Sequence, residues 1–266
     1  MRLPCLPLAS LLVGAASLLT APAPALAHFQ EILPSADVLP EGGAVTLDLV
    51  FTHPMERGPT MEMARPRSVG ALIDGKTVDL TSGLAEKKVE GKTAWTLSTR
   101  LDKPGAAVFF VEPQPYWEPA EKTWISHFAK VVVDGYASGE GWDRLAGLPV
   151  EIEPLTRPTG LWTGSLFRGL VRHDGKPASS AEIEVEWAND GSVRPPNDAF
   201  VTQKIKADPN GVFAFALPRA GWWGFAALID GPPAKAPDGS PAKTELGGLF
   251  WVKATDMTSA PASAAK

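Results

Sequence analysis

From Val45 the run VTLDLVFTHP alternates: Val45, Leu47, Leu49 and Phe51 share one face, and Thr46, Asp48 and Thr52 share the other. The alternation predicts a half-buried strand ended by Pro54. In ALIDGKTVDL, Asp74-Gly75 stands between two apolar runs and predicts a hairpin turn. TAWTLSTRL follows, then the breaker Lys103-Pro104-Gly105, then AVFFVE from Ala107 to Glu112 and the long WISHFAKVVV from Trp124 to Val133. Several short strands with no convincing amphipathic helix predict an antiparallel β-sandwich.

A second unit is expected after Pro154, where Leu155-Thr156-Arg157-Pro158-Thr159-Gly160 has the composition of a linker. In AEIEVEW, Ala181, Ile183, Val185 and Trp187 alternate with Glu182, Glu184 and Glu186, one face for a core and one for water. The turn Asp208-Pro209-Asn210-Gly211 leads into VFAFALP and GWWGFAALI. The expectation is an all-β fold of two antiparallel, Ig-like sandwiches: residues 28–155 with the chemistry, residues 156–254 as a smaller sandwich, and a disordered tail over 255–266 rich in Ala, Ser and Pro.

Composition supports this. The 26 Pro and 25 Gly are spread between short apolar runs, as turns punctuate a many-stranded protein. The first 27 residues depart from that pattern: Arg2, an apolar stretch from Leu8 to Thr20, and a close on Ala25-Leu26-Ala27. That order predicts a secretory signal peptide cleaved after Ala27, with the mature protein in the periplasm. The apolar stretch is short for a bilayer span, and no later segment is long and apolar enough either. The sole cysteine, Cys5, would leave with the signal. The mature chain keeps 24 basic against 30 acidic side chains. Without a basic cluster, nucleic acid is not an expected partner.

Of the four histidines, His28 becomes the first residue after cleavage and offers an α-amine beside its imidazole, two nitrogens for one metal ion. An α-amine with a pKa near about 8 yields its proton to a metal at small cost. His53 has the parity of Val45, Leu47, Leu49 and Phe51, and His127 that of Ile125, Ala129, Val131 and Val133, so both face a core. A buried imidazole must hydrogen-bond or bind metal. Either alone reads as a satisfied structural histidine, and the set of three points to metal. HPMERGPTMEMARP adds Met55, Met61 and Met63, soft thioethers or plain core fillers, with Met55 the nearest to His53 in sequence. Glu56 and Glu62 read equally well as solvated. His173, in RHDGKP, is expected at the surface.

The segment FVEPQPYWEPAEKTW is dense in aromatic and acidic residues, and reads either as a pocket lining or as a loop over a sheet edge. Glu112 and Glu118 are not fixed as an acid/base pair by sequence. There is no nucleophile elbow, phosphate loop or HExxH motif, and no enzymatic activity is expected.

The runs HFQEILPS, DLVFTHPMERGPTMEMARP, FFVEPQPYWEPAEKTWISHFAKVVVD, GWDRLAGLPVEIEPLTRP and PRAGWWGFAAL resemble the periplasmic component family, NikK-like with a DUF4198 domain, that is associated with bacterial cobalt and nickel ABC-type uptake. The resemblance extends over residues 28–257. It implies a protein that collects Ni(II) or Co(II) and passes it to the membrane components of an importer, with His28, His53 and His127 as ligands by position. The second unit also resembles carboxypeptidase regulatory-like or transthyretin-like sandwiches, which hold or present. The competing readings are a periplasmic copper carrier, since Cu(II) suits the same nitrogens, a histidine-brace oxidase, and an adaptor of a membrane transporter that binds no metal.

Overall fold

The structure is a computed structural model that describes residues 28–258. The expected signal peptide with Cys5, and residues 259–266 of the expected tail, lie outside the described residues.

The fold is all-β, and its sheets are largely antiparallel. Its backbone is a twelve-stranded central sheet whose main path runs Gln203–Lys206, Glu182–Trp187, Gly221–Asp230, Pro241–Thr255, Thr123–Gly135, Gly105–Glu112, Ser68–Ile73 and Lys76–Asp79. The halves on either side of Leu155–Gly160 therefore share one sheet. They meet where Thr123–Val131 pairs in parallel with Lys243–Trp251, a departure from the antiparallel pattern.

A four-stranded sheet covers one face of this layer: Phe29–Pro34, Gly43–Thr52, Lys92–Leu101 and Ala85–Val89, in that order. A second small sheet, built on Leu166–His173 with Val150–Pro154 and Val212–Ala216 paired to it, belongs to the other. The side chains divide accordingly. Ile125, Ala129, Val131, Ala226, Leu249 and Trp251 enter one core with Leu47, Leu49 and Phe51. Val132, Phe225, Ala227, Phe250 and Val252 enter a second with Phe167 and Phe213. Burial on both faces explains why AVFFVE and GFAALI are apolar without alternation.

Each core also contains charge. Lys130, fully buried, donates to Glu151 Oε2 at 2.6 Å and lies 5.6 Å from the Phe250 ring centroid. Glu151 in turn accepts from the backbone N–H groups of Ala146 and Gly147, at 3.0 and 2.9 Å. A buried charge survives only with such partners.

Two other carboxyls are withdrawn from water with no ion-pair partner among the described residues. Withdrawal from water, with the charges of Asp48 and Glu186 adding, pushes Glu31 up to about 8. Desolvation likewise pushes Glu186 up to about 7, against the hydrogen bonds it accepts from Thr202 and Met55. Both hold their protons in the folded chain to higher pH than in the unfolded chain, where a glutamate ionises near 4.5. The stability they contribute is therefore complete below the unfolded value and is lost as pH rises through 7 and 8. Urea unfolding is expected to show a midpoint that falls from pH about 5 to about 8.5, with a shallower fall in Glu31→Gln. An equal slope in the variant would contradict the assignment.

Candidate metal centre

The strand Phe29–Pro34 pairs antiparallel with the end of Gly43–Thr52 in the register Phe29 to Thr52 and Gln30 to Phe51. Extending that register by one residue sets His28 opposite His53, and their rings lie 4.7 Å apart, tilted by 54°. Both are buried, at 9% and 3% exposure. Parity therefore placed His53 on the core side, and pairing brings the first described residue to it.

His127 reaches the same place from the central sheet. Phe51 separates it from His28, its ring 6.1 Å from His127 and 5.6 Å from His28. Tyr116 closes over them, 5.2 Å from Phe51 and 6.0 Å from His28. Tyr116 comes from the aromatic and acidic segment, which folds into the short strand Tyr116–Glu118 against Thr123–Ile125. That segment is the pocket lining that was one of its two readings. Trp117 pairs with Trp124 at 5.3 Å between ring centroids.

Carboxylates hold the two outer rings by the same atom. His28 Nε2 lies 3.1 Å from Glu118 Oε2, and His127 Nε2 lies 2.9 Å from Glu245 Oε1. The nitrogen left for another use in each ring is Nδ1, the arrangement in which a carboxylate orients a metal-binding histidine. Among the described residues His127 Nδ1 is buried with no hydrogen-bond partner, and His127 is 3% exposed.

The electrostatics favour a neutral His28 ring and an anionic Glu245. Burial holds His28 below its ordinary value, and the nearby His127 adds to this against the opposing pull of Glu118. For Glu245 burial works the other way, but the hydrogen bond and charge of His127 outweigh it and lower the carboxyl. Glu121 is raised by burial and by Glu245, Glu118 and Glu184, which marks a concentration of negative charge around the histidines. Such a field draws cations.

The His53 turn is fixed from the other half of the chain. Asn189 donates its backbone N–H to the Pro54 carbonyl at 3.2 Å and its side-chain amide to the Met55 carbonyl at 2.9 Å. The Met55 N–H donates to Glu186 at 3.0 Å. Met55, the expected fourth donor, packs in the second core, and its backbone is what this clamp holds. His173 is at the surface, its side chain 40% exposed.

Pairing, not parity, supplied the residues that sequence reasoning missed. Glu245 and Gly247 come from the strand paired with His127, and Gly247 stands directly opposite it. A Cβ at Gly247 would fall within contact of His127 Cδ2 and 2.8 Å from Nε2. A glycine inside a strand is the sequence sign of such a close approach, and Gly247-Gly248 in ELGGLFWV carries it. Met63 and Gln30 line a small cavity with Phe51, Tyr116 and His127.

Among the described residues, no group of three or more His, Cys, Asp or Glu side chains is arranged to hold a metal ion. His28 and His53 are in ring contact and His127 stands across Phe51 from His28, an arrangement that does not close a ligand shell by side chains alone.

A sequence model described as "Domain of unknown function (DUF4198)" matches residues 25–231. The chain belongs to the DUF4198 family. No curated protein matches this DUF4198 chain. Among solved structures it is similar to latent PorU from Porphyromonas gingivalis, at 13% identity over 86% of this chain and 20% of PorU, TM-score 0.23. It is similar also to the Yersinia pseudotuberculosis adhesin InvE, at 10% identity over 82% of this chain and 58% of InvE, TM-score 0.21. Trypsin-activated alpha-2-macroglobulin from Escherichia coli matches at 12% identity over 87% of this chain and 16% of that one, TM-score 0.23. The DUF4198 chain spans less than two thirds of each, and likenesses this distant carry no functional argument. No helix among the described residues is long and apolar enough to cross a membrane.

Gly247→Ala is expected to push the His127 ring off Glu245 and to lower stability by about 1–3 kcal/mol, the usual cost of overpacking. Ring NMR resonances of His127 that stay in place in the variant would show that the close approach is not what seats it.

Proposed function

We propose that this DUF4198 protein is exported to the periplasm, captures a divalent transition-metal ion at its histidine cluster, and hands it to the membrane components of an importer. The observation that carries the reading is His127 Nδ1, buried without a hydrogen-bond partner beside two further buried imidazoles. An orphaned core nitrogen costs about 1–3 kcal/mol, and a metal ion is a partner that would relieve it.

Processing supplies what the side chains lack. Cleavage after Ala27 would free the His28 α-amine, and amine and imidazole together make a chelate at the one ligand residue where the chain would begin. With His53 and His127 the donors are all nitrogen, a set suited to Ni(II), Co(II), Cu(II) and Zn(II). The resemblance to cobalt and nickel uptake components favours the first two. Glu118 and Glu245 would orient the rings, and the surrounding carboxylates would raise the local cation concentration. The protein's task is capture and release, with no bond made or broken in a substrate.

The test is titration of the mature chain starting at His28, beside a form with one glycine added before His28, using Ni(II), Co(II), Cu(II) and Zn(II). The glycine keeps the imidazole and moves the free amine away from it. One ion bound tightly by the first form and at least about tenfold more weakly by the second is the expected result. Equal binding by both removes the processed terminus from the site. No binding by either removes the metal function.

A further inference from the structure

The donors proposed above are nitrogen, and the structure places a methionine beside one of them, His127. Met63 is 4% exposed and lines, with Gln30, Phe51, Tyr116 and His127, a cavity of about 40 Å³. A cavity this small has room for about one to three waters. The Met63 sulfur is accounted for only by Gln30 Nε2, 3.6 Å away, a weak contact, and Gln30 Nε2 also donates to the carbonyls of Glu31 and Val50.

The orientation of His127 completes the picture. Its Nε2 and Cδ2 edge lies against Gly247, and Nε2 is engaged by Glu245. The opposite edge of the ring carries Nδ1, which is buried and has no hydrogen-bond partner among the described residues, and His127 itself lines the cavity.

We infer that Met63 is a specificity-determining ligand: with His127 it makes the cavity a soft-metal subsite, so the protein takes up Cu(I) as well as divalent ions. The inference rests on the metal-capture reading and assigns the thioether a role within it. A thioether is a poor ligand for Ni(II) or Co(II) and a good one for Cu(I), so the nitrogen donors set general affinity while sulfur sets the preference for the softer ion. The other described methionines are placed differently. Met55 packs in the second core, Met61 is buried beside the site without lining the cavity, and Met257 is 73% exposed.

The experiment measures Cu(I) affinity by competition with a chromophoric Cu(I) chelator under anaerobic conditions, and Ni(II) affinity by calorimetry, on the mature chain, Met63→Leu and Met61→Leu. The expected result is a fall of at least about tenfold in the Cu(I) to Ni(II) affinity ratio for Met63→Leu, with no change in the ratio for Met61→Leu. A merely structural role for Met63 would weaken both ions together and leave the ratio in place, which overturns the inference while sparing the metal function. Should Met63→Leu fold poorly, X-ray absorption of the Cu(I)-loaded wild-type chain decides. The mature chain would lack Cys5, so a sulfur scatterer would have to be a methionine, and its absence refutes the subsite. A wild-type chain that binds neither ion refutes the capture reading together with the subsite.

Discussion

The parallel pairing of Thr123–Val131 with Lys243–Trp251 is the constraint on which the rest depends. It joins the two halves into one sheet, and that sheet has a core on each face. The same register sets Gly247 against His127 and brings Glu245 to its Nε2. Shifting it by one residue would turn Leu249 and Trp251 out of the first core, and in one of the two directions would set Leu246 opposite His127. The joining of the halves and the seat of His127 are therefore specified by one set of backbone hydrogen bonds.

Much of this was legible in the residues taken in order. The alternation from Val45 to Phe51 gave the strand, its buried face and the position of His53, and the parity of Trp124–Val133 gave the side on which His127 lies. Such patterns are local, because side-chain direction in a strand repeats every two residues. Which strand lies next to which is a long-range property. The shared sheet, the partnership of Glu118 with His28 and of Glu245 with His127, and the departure of Met55 into the second core all depend on it. Met55 was misleading because closeness to His53 in sequence does not give closeness in space: the turn after Thr52 is pulled toward Asn189 and Glu186, and the side chain goes with it. Met63 reaches the cavity because its N–H bonds the Thr93 carbonyl beyond that turn.

The two cores treat charge differently. Lys130 and Glu151 form a compact pair satisfied by further backbone donors, which fixes the geometry without leaving an open valence. The first core instead contains an imidazole nitrogen with no hydrogen-bond partner among the described residues. Native proteins leave few buried polar atoms unpaired, and such atoms concentrate where a ligand arrives. The aromatic groups Phe51 and Tyr116 line the same space, so any ion entering it meets nitrogen among largely apolar surroundings.

The separation in sequence between the two ends of the site has a consequence for the timing of assembly. His28 and His53 come early, His127 comes midway, and Glu245 and Gly247 lie close to the end of the described chain. Long-range parallel pairing forms slowly, because the intervening chain must be ordered before the contact rewards it. A chain still being made lacks the strand that seats His127. The His127 side of the pocket is therefore complete only after the final strand docks, whereas His28 and His53 belong to the first paired strands of the described chain.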